Sequence, residues 1–104
     1  IEGGSRQTRE ATKQDLERLR DSMQDKWEDT EVTTRMWELI STGNVQELAA
    51  WISSDPSVAF VRSSDGRGPM FWAYEYRSQD IVQLLMSVGV RVSDKDKDGR
   101  TPKD

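Results

Sequence analysis

The sequence predicts an all-α protein: a short stack of helical repeats, made of two helix-turn-helix pairs, behind an amphipathic N-terminal helix. Three observations carry this. Apolar residues recur at helical spacing along most of the chain. Gly and Pro fall between those stretches, where they punctuate helices. The turn signal Asp65-Gly66-Arg67-Gly68-Pro69 returns 33 residues later as Asp98-Gly99-Arg100-Thr101-Pro102, with four of five residues identical. A fixed period of this length, holding one helix pair and one loop, marks a stacked array.

Composition sets the bounds. A chain of 104 residues is long enough for one small domain and too short for two. With 34% hydrophobic and 33% charged residues, the core is confined to part of the chain. The formal net charge of −4 argues against nucleic acid or an anionic membrane as partner, since both reward concentrated Lys and Arg. There is no Cys and no His. Disulfides, a thiol nucleophile, cysteine zinc sites and the commonest general base are therefore excluded. No stretch approaches the roughly 18 apolar residues of a membrane span, and no secretory signal opens the chain. Localisation stays open. The opening Ile1–Ser5, IEGGS, reads as an expression-vector scar, and the ends at IEGGS and GRTPKD are expected to mark a piece of a longer protein.

Residues 6–30 form the first element. Arg6 to about Asp29 lacks Gly and Pro and is rich in good helix formers. Leu16, Leu19, Met23 and Trp27 follow a +3, +4, +4 spacing that lies on one helix face. This stripe is a candidate assembly surface or a cap docking on the domain behind it. Its Arg and Lys alternate with acids, giving local ion pairs and no basic patch.

Residues 33–104 form the repeat domain. Thr33 or Thr34 is placed to cap a helix carrying Met36, Trp37, Leu39 and Ile40. Gly43-Asn44 turns the chain into a second helix to about Ser53, with Val45, Leu48, Trp51 and Ile52 inward. Asp55-Pro56 stops it. Pro69 opens the next first helix, where its missing N–H costs nothing. Ile81, Val82, Leu84, Leu85 and Met86 mark its partner, closed by Gly89. Trp37 and Trp51 are expected in the core, and Phe71 is expected to be structural. Trp72 and Tyr76 divide evenly between core and surface, and Trp27 depends on where the first helix docks.

About residues 34–104 resemble the ankyrin repeat. Gly66, Pro69, Met70, Ala73, Ile81, Val82, Leu85 and Gly89 sit at that family's pattern positions, and Gly99, Thr101 and Pro102 match the opening of a following unit. The unit at Ser63–Lys95 is well matched, the earlier one divergent and the last truncated. Gly68 stands for the usual Thr, Phe71 for His, Tyr74 for a small residue and Arg77 for the Gly between helices. Glu47 stands for an aliphatic residue and Lys103 for Leu. The resemblance implies a non-catalytic protein–protein interaction module, binding through turn tips and first helices, with no cofactor and no metal. Carried over by position, the partner-binding candidates are Arg67, Trp72, Glu75, Tyr76, Asp65, Ser64, Lys97, Asp98 and Arg100, with Ser41 and Thr42 as less secure equivalents. Arg67 and Arg100, one repeat apart, are expected side by side, gripping an acidic segment with Tyr76. The alternative is a structural or assembly domain, homo-oligomerising or docking through the N-terminal helix.

Asp94-Lys95-Asp96-Lys97-Asp98-Gly99 also matches the first half of a calcium loop. The loop's twelfth position falls beyond Asp104, and the repeat register already accounts for Asp98-Gly99 as a turn. A solvated turn is the favoured reading.

Overall fold

The computed structural model describes residues 12–104; the expected vector scar at 1–5 and the expected helix residues 6–11 lie outside them. Among the described residues the chain is all-helical: α1 (Lys13–Met23), α2 (Glu31–Ser41), α3 (Val45–Ser54), a 3-10 helix (Pro56–Phe60), α4 (Pro69–Glu75) and α5 (Gln79–Ser87). Helices α2 and α3 form the first pair, α4 and α5 the second. First helix packs on first helix (α2 on α4) and second on second (α3 on α5), the arrangement of a short ankyrin-like stack.

The helix ends follow local chemistry. Thr30 caps α2 in a reciprocal box with Thr33: the Thr33 N–H donates to the Thr30 hydroxyl oxygen at 3.2 Å, and the Thr30 N–H to that of Thr33 at 2.9 Å. The cap thus lies three or four residues before the position expected from Thr33 or Thr34. Asn44 caps α3 through its side-chain oxygen, and Pro69 occupies the first turn of α4. Beyond Asp55 the chain tightens into the 3-10 helix, which buries Val58, Ala59 and Phe60.

Between the helix layers lie Met36, Leu39, Ile40, Leu48, Ile52, Met70, Ala73, Ile81 and Leu85. Neither pair can bury this face by itself, so stacking supplies the stability. Glu47 costs the core nothing, because it is exposed and pairs with Arg35 across to α2.

Three expectations are corrected. The first helix ends at Met23 rather than Asp29, because Trp27 is drawn into a parallel bridge with Arg62. Tertiary pairing here overrides good local helix propensity. Trp37 is not core but 42% exposed. Each residue advances about 100° around a helix, so with Met36 and Ile40 facing inward, Trp37 turns out beside the stack. Trp72, offered for a partner, is only 7% exposed, because α4 is covered by both α2 and α5.

Two departures from the ankyrin pattern have physical accounts. A Cβ at Gly68 would lie 2.6 Å from the Val61 carbonyl oxygen, so this backbone has no room for Thr. Arg77, standing where the family uses Gly, keeps the glycine-type conformation at φ 55°, which strains an L-residue. Arg77→Gly is therefore expected to stabilise the fold by about 1 kcal/mol. A thermal melt should show this as a midpoint raised by about 4–8 °C.

Candidate functional site

The N-terminal segment is fastened to the repeats through Arg62, a residue that the repeat pattern does not single out. The side chain of Arg62 is buried. Its Nε donates to the Gly66 carbonyl at 2.8 Å, and a terminal nitrogen donates to the Lys95 carbonyl. The guanidinium carbon lies 4.7 Å from the Trp27 ring centroid and 5.9 Å from that of Phe71. Burial pushes the Arg62 pKa below its ordinary value, with the Asp94 and Asp96 carboxylates opposing; the group stays charged at neutral pH. The Glu28 N–H donates to the Arg62 carbonyl at 3.0 Å. Both Asp29 carboxylate oxygens are used by Ser64, one by its N–H and one by its hydroxyl, each at 2.9 Å.

α1 itself packs on the 3-10 helix of its own chain, and Arg20 donates to the Gly89 carbonyl at 3.4 Å. Leu16, Leu19 and Met23 are half-buried, and Trp27 is 36% exposed.

The turn tips stack as neighbours: the Lys97 N–H donates to the Asp65 carbonyl at 2.8 Å. Asp65 organises its own turn, accepting from the Ser63 hydroxyl and, at 3.0 Å, from the Arg67 N–H. Burial pushes its pKa up, but the Ser63 hydroxyl, the Arg67 N–H and the Arg67 charge outweigh this and hold the carboxyl below its usual value. In the next turn Asp96 does the same work, accepting from the Asp98 and Arg100 N–H groups at 2.9 Å each. Asp94 faces Arg91 at 3.3 Å. Among the described residues no three metal-type side chains converge.

Arg67 turns back onto α4, its terminal nitrogen 3.1 Å from Glu75 and its guanidinium 6.0 Å from the Phe71 ring centroid. Lys97, Asp98 and Arg100 are exposed at the second tip. The Ser41 and Thr42 hydroxyls donate to the Glu38 carbonyl at 3.2 and 2.7 Å. Tyr76, 41% exposed, meets Trp37 edge-on, with centroids 6.4 Å apart and planes at 71°. Trp37 also borders a shallow groove with Asp29, Thr33, Thr34, Ser63 and Trp72. Trp37 on α2 and Tyr76, which caps the C-terminal end of α4 directly after Glu75, thus bring two exposed aromatic rings together. The sequence left Tyr76 evenly divided between core and surface and placed Trp37 in the core; both are exposed, and the helical position of Trp37 differs from a core position by one residue.

No protein-family model matches the chain. Over 64 residues it is 36% identical to the human 26S proteasome non-ATPase regulatory subunit 10, and 36% and 34% identical to the mouse and rat proteins of that name. The match takes in 62% of this chain and 28% of each relative. The chain thus spans little more than a quarter of the curated relatives it matches.

The depressed Asp65 pKa fixes a direction with pH. A carboxyl whose folded value lies below its ordinary 3.8 adds stability above that value, which is lost as pH falls through the folded value. Asp65→Asn should lower the urea midpoint at neutral pH, and its deficit relative to wild type should shrink below pH 3.8.

Proposed function

We propose that the chain is an ankyrin-repeat protein-interaction module, non-catalytic, whose partner seats on the first helices and turn tips. The observation that carries this reading is the Trp37–Tyr76 pair. Large aromatics left exposed on neighbouring elements are favoured anchors, because they bury much area with few rotors to fix. The relatives support the class: they are named as a non-ATPase regulatory subunit, a description without catalytic chemistry.

Around the pair, Arg67 and Glu75 form an exposed ion pair that an acidic segment would have to open. Exposed pairs of this kind are worth about 0–1 kcal/mol, so a carboxylate competing for Arg67 faces a small cost. Asp65, Lys97, Asp98 and Arg100 complete the rim, whereas Ser64 is taken up by Asp29. Trp72 serves as the floor of the groove beside Trp37 rather than as a contact reaching out. The assembly alternative is less well supported, because α1 packs on its own chain's 3-10 helix.

Affinity capture with the wild-type chain against Trp37→Ala, Tyr76→Ala and Arg67→Ala/Tyr76→Ala tests the reading. Each aromatic truncation should cost about 2 kcal/mol of binding, roughly thirtyfold, as expected for anchors. Partners retained equally by the wild type and all three folded variants would refute it.

A further inference from the structure

We propose that Trp27–Asp29 is a resident pseudoligand. The ledge beneath it, built by Arg62, Ser64, Gly66 and Phe71, takes in trans an extended segment of a partner protein. That segment carries a large aromatic side chain and, two positions on, a carboxylate.

The chain's own strap defines this chemistry. The bridge between residues 27 and 62, with the Glu28 N–H on the Arg62 carbonyl at 3.0 Å, is main-chain recognition, which holds an extended peptide whatever its sequence. Specificity comes from two side chains. Trp27 lies against the Arg62 guanidinium at 4.7 Å. A Cβ at Gly66 would approach its ring to 2.6 Å, so a glycine here, at φ 84°, is what leaves a flat seat. Asp29 is received by the Ser64 N–H and hydroxyl at 2.9 Å each. Side chains two apart in an extended chain point to the same side, which brings both groups onto one ledge. Glu28 between them is exposed and imposes no demand.

The occupant is held at its edges. Both Asp29 bonds are solvent-exposed, and α1 behind it contains no fully buried residue. A strap tethered in this way competes at an effective concentration in the millimolar range, so it gates the ledge against weak ligands. Asp29 also lines the groove bordered by Trp37, so a displaced strap would open a path continuous with that surface. The ledge itself rests on its own contacts and not on the Trp37–Tyr76 reading.

The test is fluorescence anisotropy of a labelled peptide, residues 24–30 (QDKWEDT), against the full chain and its Trp27→Ala/Asp29→Ala variant. The peptide is expected to bind the variant at least tenfold more tightly than wild type. Replacing the peptide's Trp by Ala, or the second of its acidic pair by Asn, is expected to cost at least tenfold on that variant. Equal affinity for both chains, indifference to both peptide changes, or no binding to a variant with wild-type circular dichroism would overturn the proposal. Should the double variant unfold, Asp29→Asn, which disturbs only exposed bonds, replaces it under the same criteria. A wild-type dimer dissolved to monomers by the peptide would make the occupant a second copy and overturn the partner assignment.

Discussion

One buried guanidinium ties this small stack together. Arg62 reaches the Gly66 carbonyl of its own turn and the Lys95 carbonyl ahead of the next, and is flanked by Trp27 from the N-terminal strap and Phe71 from α4. Three stretches far apart in sequence therefore share one cation. Its charge is tolerated because the arginine is hydrogen-bonded and the Asp94 and Asp96 fields offset part of the desolvation. Leaving the buried Gly66 carbonyl unsatisfied would cost about 1–3 kcal/mol, more than an exposed ion pair contributes.

That constraint matters because the stack is short. Repeat units gain stability from their neighbours. Here α1 covers the 3-10 helix, while the strap lies along residues 62–64. The opposite consequence appears at the first helices. α4 is covered on two sides and loses Trp72 to the interior, whereas Trp37 and Tyr76 stay exposed at the edge. The strap side holds distant segments of the chain together, and the Trp37–Tyr76 edge stays exposed.

Much of the architecture is legible in the sequence. The echo of Asp65-Gly66 at Asp98-Gly99 shows the period, and Gly43, Pro69 and Gly89 mark the breaks between helices. Helical phase is less legible: Trp37 and Met36 are adjacent, and nothing local says which of them faces the second pair. The end of α1 is hidden too, since Gln24–Asp29 is good helix sequence and yields only to the pairing with Arg62. Arg62 itself closes an apolar run, and its partners lie 4 and 33 residues away through backbone oxygens, which leave no trace in side-chain pattern.

The central claim is that Arg62 and Trp27 act as one unit fastening the strap to the repeats. A double-mutant cycle of Trp27→Ala and Arg62→Met, read by urea unfolding, tests this most directly. A coupling energy of about 1–2 kcal/mol is predicted for a partly desolvated cation over an indole. Additivity of the two changes to within about 0.5 kcal/mol would contradict it.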